Sequence, residues 1–200
     1  MFDLGKWRIQ LPVNSSGGFS GDMKVVNPAK TIAPWFIAHP DRLEFTCPAK
    51  GATSPSSPSP RTELAENNTW YMERGGTMAA VVTVHAVPSN LVTIGQVWNK
   101  DPALLLRVNG NGDIIATTRW LPDTWVANVP LGTPFSYYIG VNSNRVLWLD
   151  INGVTVWWRD MTPWVGRKMY FKAGTYTHAA AGTDPNALYK ATFTYLKIAH

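Results

Sequence analysis

The sequence predicts an all-β fold, a largely antiparallel sandwich, and three observations carry that expectation. Run after run alternates with period two; aromatic and β-branched residues dominate the runs; and Gly, Asn and Pro separate them. No segment keeps the i, i+3, i+4, i+7 repeat of an amphipathic helix for more than about two turns, which sets aside helical bundles and Rossmann-type folds.

Two hundred residues with 45% hydrophobic and 16% charged side chains suit one globular domain, expected to span 1–200. No apolar stretch reaches the roughly 18 residues that a membrane span needs, so no membrane partner is expected. Cys47 is the only cysteine, which excludes an intrachain disulfide and a cysteine-based metal site. Eighteen Lys and Arg against thirteen Asp and Glu give a formal charge of +5, which favours acidic partners such as polyuronates, sulfated glycans, nucleic acid or anionic lipid. The basic residues are scattered rather than striped, so nucleic acid is not expected.

Along the chain, the stretch 51–60 (GATSPSSPSP) comes first as an exposed loop, because its prolines lack the amide donors a sheet requires. Residues 61–66 (RTELAE) alternate, which sets Arg61, Glu63 and Ala65 on one face. Strands follow at 77–87, 92–98 and 104–108; the turn Asn109-Gly110-Asn111-Gly112-Asp113 leads into another at 114–119. Residues 135–141 (FSYYIGV) turn at Asn142-Ser143-Asn144 into 145–151. Asn152-Gly153 then marks a two-residue hairpin, since both positions must accept positive φ, and 154–159 returns. Trp148 and Trp158 in this hairpin are read as packing. The last strands are 168–176 and 189–198.

Three groups of residues could carry chemistry. Arg61 and Glu63 share a face, a pattern that an ordinary cross-strand ion pair also produces. In YFKAGTYTH, period two aligns Tyr170, Lys172, Gly174, Tyr176 and His178. A cation, two phenols and an imidazole beside a glycine do not make a core face; they resemble a cleft floor that admits a ligand close to the backbone, a polar solvent face being the alternative. In Ile94-Gly95-Gln96-Val97-Trp98, Gln96 and Trp98 face together, as groove residues or as a buried amide and a core aromatic. There is no metal-ligand spacing, phosphate loop or nucleophile elbow, so no metal and no cofactor are expected.

Taken in order, Phe45-Thr46-Cys47-Pro48, Gly51-Ala52-Thr53, RTEL from Arg61, IGQV from Ile94 and YFKAGTY from Tyr170 resemble the motifs of the alginate lyases of polysaccharide lyase family 7. The opening Phe2-Asp3-Leu4 with Trp7 and Leu11-Pro12, and the close from Phe193 to His200, extend the likeness over the whole chain. The resemblance implies a β-jelly-roll whose concave sheet binds an anionic uronate polymer, alginate first, with polyglucuronate or another acidic capsular glycan as further candidates. The polymer is cleaved by metal-free β-elimination.

That chemistry needs the substrate carboxylate masked, a base for the C5 proton and an acid for the departing O4. By resemblance, Tyr176 is the catalytic phenol, and Arg61 and Gln96 hold the carboxylate. A phenol, with an ordinary pKa of about 10, serves as a base where cations favour its phenolate, and Arg61 and Lys172 are the expected cations. Lys172, Tyr170, Glu63 and Trp98 are expected along the groove. Trp120 and Trp125, flanking Leu121-Pro122-Asp123-Thr124, are expected on a groove-edge loop where they stack on sugar rings.

Departures from the pattern matter as much. Trp98 stands where the family has a histidine, and indole has no basic lone pair. His178 replaces the usual glutamine and is expected either to restore an imidazole to the groove or to sit as an exposed loop-edge residue. Ala65 removes a groove cation. A non-catalytic carbohydrate-binding domain on the same scaffold is the alternative function. A monomer acting outside the cell is expected, although no secretory signal opens the chain; release by lysis or carriage on a phage particle are routes consistent with that.

Overall fold

The alternating runs become sixteen strands in a computed structural model that describes residues 2–28, 31–55 and 57–200. In chain order they are β1 (Trp7–Gln10), β2 (Val25–Val26), β3 (Phe36–Ala38), β4 (Leu43–Pro48), β5 (Arg61–Glu66) and β6 (Trp70–Tyr71). Next come β7 (Gly76–Ala86), β8 (Leu91–Trp98), β9 (Pro102–Asn109), β10 (Asp113–Thr118) and β11 (Leu121–Asn128). The last are β12 (Pro134–Val141), β13 (Val146–Ile151), β14 (Val154–Asp160), β15 (Lys168–His178) and β16 (Leu188–Ala199). Short 3₁₀ turns at Leu4–Lys6, Met72–Arg74 and Thr162–Trp164 are the described helical segments.

The strands form two antiparallel sheets packed as a jelly-roll sandwich. One runs β11-β10-β9-β8-β15-β5-β1-β2, with β6 alongside β15; the other runs β14-β13-β12-β7-β16-β4-β3. Alternation decides what lies between them. Leu64, Phe171, Leu104 and Leu106 from the first sheet meet Met78, Val82, Ile139 and Phe193 from the second, all buried in one apolar core. The Asn152-Gly153 hairpin is as expected, with φ of 51° and 79°.

Three expectations need correction. Residues 121–128 are a strand rather than a loop, and Pro122 is tolerated because β11 lies at a sheet edge, where an amide donor is not required. Trp158 is not packing: it is 67% exposed on the outer face of the second sheet, while its cross-strand neighbour Trp148 lies over Gly140. The loop from Gly51 is only partly exposed, since Ala52 is buried and Pro60 accepts hydrogen bonds from Thr177 N and Oγ1 of β15. Residue 56 of that loop lies outside the described residues.

One irregularity positions the site. Thr93 pairs with Tyr176 and Gln96 with Lys172, so residues an odd number apart on β8 share the outer face of the first sheet. Period two forbids that unless the strand bulges between them, and the register does shift there on both sides of β8. The bulge is held from across the core, where buried Tyr137 Oη donates to Ile94 O at 3.2 Å. A Cβ at Gly95 would stand 3.0 Å from that hydroxyl, so glycine is what lets the tyrosine reach.

Candidate active site

Three adjacent strands, β5, β15 and β8, bring together most of the polar residues that the sequence singles out. Tyr176 lies opposite Arg61 on one side and Thr93 on the other; Lys172 lies opposite Ala65 and Gln96, and Tyr170 opposite Trp98. The Arg61 guanidinium stacks on the Tyr176 ring, 3.9 Å from its centroid, while Tyr176 Oη shares a hydrogen bond of 2.9 Å with Ser57 Oγ. Tyr176 is half-buried and outside the hydrophobic core.

Opposite Gly174 sits Glu63, with no exposed surface. Its Oε2 is 3.5 Å from Arg61 Nη1 and 3.4 Å from Lys172 Nζ, and its Oε1 accepts from Gln96 Nε2. A buried carboxylate needs such pairing, because taking it out of water unpaired is very costly. Glu63 is therefore the common anchor of three site residues and does not line the groove as expected. Gln96 is equally buried, its Oε1 without a hydrogen-bond partner.

Lys172 also departs from its expected place along the groove. Its ammonium, 3% exposed, donates to Gln10 Oε1 at 3.5 Å and lies 5.1 Å from the Trp98 ring and 5.9 Å from the Tyr170 ring. Burial drives its pKa down to about 8 against the pull of Glu63. Burial likewise raises the Tyr170 phenol, with Arg8 opposing. Trp98 and Tyr170 thus roof the lysine.

His178 is on the Tyr176 face, the two ring centroids 4.3 Å apart, and its Nε2 bonds Thr93 Oγ1 at 2.8 Å. It is not an exposed loop-edge residue. Burial first, then Arg107 and Arg61, push its pKa to about 3, so the imidazole is neutral near pH 7 and supplies no positive charge. Gly174 opens no gap for a ligand: with φ of 149°, a Cβ there would lie 2.5 Å from Thr62 O and 2.8 Å from Glu63 Cα. It is glycine because β5 presses against it.

The two tryptophans separate. Trp125 lies in β11 opposite Ile115, on the same sheet face as Tyr176, with Nε1 donating to Asp113 Oδ1 at 3.1 Å. Trp120 is at the tip of the β10–β11 hairpin with φ of 73°, its ring 5.5 Å from that of Trp164, away from Tyr176 and towards the end of the sheet where Pro102 pairs with Trp98.

This arrangement, an arginine-backed tyrosine on one sheet of a jelly roll, has a matching family. A family model described as alginate lyase matches residues 2–200. The chain belongs to the alginate lyase family. It is thereby a polysaccharide lyase, an enzyme that breaks its polymer by β-elimination. A search of curated proteins finds no match. Among solved structures, it is similar to the alginate lyase PA1167 of Pseudomonas aeruginosa, at 25% identity over all of both chains with a TM-score of 0.86. The alginate lyases of a Corynebacterium species and of Klebsiella pneumoniae are each 22% identical, over all of this chain and 96% of theirs, with TM-scores of 0.85 and 0.83. These two show the likeness of fold.

Among the described residues, no cluster of three His, Cys, Asp or Glu side chains could hold a metal ion. Sequence reasoning missed Ser57, Thr93 and Arg107. Ser57 and Thr93 carry no signal in a single sequence. Arg107 does: it is a lone cation ending the apolar run Leu104-Leu105-Leu106, and on a sheet face it must find a partner.

Proposed function

We propose that this protein cleaves alginate at uronate linkages, with Tyr176 as both base and acid. The phenolate takes the C5 proton, the electrons form the C4–C5 double bond, the C4–O4 bond breaks, and the phenol returns its proton to O4, which regenerates the phenolate. One group serves both steps when proton and leaving oxygen lie on the same side of the sugar. The observation that carries the reading is the Arg61 guanidinium stacked on the ring of Tyr176, 3.9 Å from its centroid, a fixed cation at the position where an anionic sugar would meet the phenol. On this reading Tyr176 exchanges its bond to Ser57 for the sugar, and Arg61 and Gln96 meet the substrate carboxylate by turning from Glu63, which both contact in the free protein.

The test is the ultraviolet absorbance of the unsaturated product ends on alginate, with polyglucuronate and mixed capsular uronates as comparisons. Tyr176→Phe is expected to abolish the signal while oligomer binding persists; unchanged turnover in that variant would overturn the role of the phenol. A non-catalytic binding domain is the second reading, favoured by Trp98 over Lys172 and by the full burial of Gln96. Binding of these polymers with no product from any of them would establish it in place of the first.

A further inference from the structure

A single row of side chains crosses the outer face of the first sheet. Strand register places Arg61, Tyr176, Thr93, Arg107, Ile115 and Trp125 opposite one another in succession, from β5 to β11. The two cations next to Tyr176 are committed: Arg61 and Lys172 have side chains 5% and 3% exposed, and both lie against Glu63. Arg107 is different. Its side chain is 17% exposed, its Nε is buried with no hydrogen-bond partner, and its ion pair is a loose one, Nη1 3.8 Å from Asp123 Oδ2. That carboxylate is half exposed and already accepts from Thr117 Oγ1 at 2.7 Å. A guanidinium carries five donors in a fork that matches a carboxylate, so Arg107 has capacity that its neighbours leave unused. Its own charge reaches His178 and helps to hold that imidazole neutral, which places it beside the Tyr176 end of the row. His178, being neutral, offers no competing cation.

We infer that Arg107 binds the carboxylate of a uronate neighbouring the one that Tyr176 deprotonates, so that the polymer lies across the strands and is bounded by Trp125. Two strand spacings separate β15 from β9, about 10 Å, which sets the binding point apart from the reacting sugar. Trp125, 61% exposed and fixed through Asp113, offers a flat face at the end of the row. Arg107 is on this account a specificity-determining residue that recognises charge, and the inference rests on the uronate reading above.

The experiment separates the two. Turnover of wild-type protein on alginate tests the elimination. Arg107 is tested without turnover, by calorimetry in the Tyr176→Phe background with alginate oligomers and with the same oligomers after carboxyl reduction to neutral sugars. Arg107→Gln is expected to weaken the charged oligomers about ten- to hundredfold, the range for a charge-assisted pair, and to leave the neutral ones unchanged. Equal affinity for the charged oligomers, or an equal loss with the neutral ones, would overturn the assignment. If Arg107→Gln does not fold, Asp123→Asn replaces it: relieved of its competing carboxylate, Arg107 should bind charged oligomers more tightly, and no change would count against the inference.

Discussion

Acid should weaken this fold through one imidazole. His178 has its Nε2 on Thr93, and burial first, then the charges of Arg107 and Arg61, lower its pKa from an ordinary 6.5 to about 3. In the unfolded chain the ring regains its ordinary value, so between those two pH values the unfolded state holds a proton that the folded state refuses. Stability is therefore complete above about pH 6.5 and is lost progressively as pH falls towards about 3. Each unit corresponds to about 1.4 kcal/mol, so the window from pH 6.5 to pH 4 amounts to about 3 kcal/mol, or about 2 to 3 after allowance for solvent at the ring edge. Urea unfolding of wild type and His178→Gln at pH 7 and pH 4 measures it, because the titration of the other groups is common to both proteins. The variant should lose about 2 to 3 kcal/mol less than wild type over that interval. Parallel pH dependences would refute the reasoning.

Other perturbations test the rest of the site. Glu63→Gln strips the buried counter-ion from Arg61 and Lys172 and should destabilise the protein by about 3 to 5 kcal/mol, read as a lowered thermal midpoint. Gly174→Ala drives a methyl group into Thr62 O and should cost about 2 to 4 kcal/mol by denaturant titration, whereas a ligand-sized gap at that position would leave stability untouched. Tyr137→Phe removes the bond to Ile94 O and should cost about 1 kcal/mol; because the bulge it holds sets the face of Gln96, turnover on alginate should fall as well.

Much of the fold is legible in the chain because period-two alternation reports directly which side of a strand is dry. The runs that became β7 to β10, β12 to β14, β15 and β16 are of this kind. Short strands such as β2, β3 and β6 are too brief for a period to show, and β11 is obscured by Pro122 and by its exposure on an edge. The site is legible as a set of residues on one face of β5, β8 and β15, yet its depth is not. Glu63, Gln96 and Lys172 are placed in the groove by the resemblance, with a buried amide as the alternative for Gln96, and the structure buries all three.

Local patterning thus determined the strands, the hairpin at Asn152-Gly153, the polar face of the Tyr170–His178 segment and, through ordered motifs, the family. Tertiary structure alone decided that Thr93 and Gln96 share a face, that one carboxylate holds three site residues, that Trp98 covers Lys172, and that Arg107 stands in the Tyr176 row. The physical reason is that alternation fixes only a side chain's direction from its own strand. Which neighbour it meets, and whether water reaches it, depend on register, on a bulge and on a tyrosine reaching from the opposite sheet, all set by residues distant in the chain.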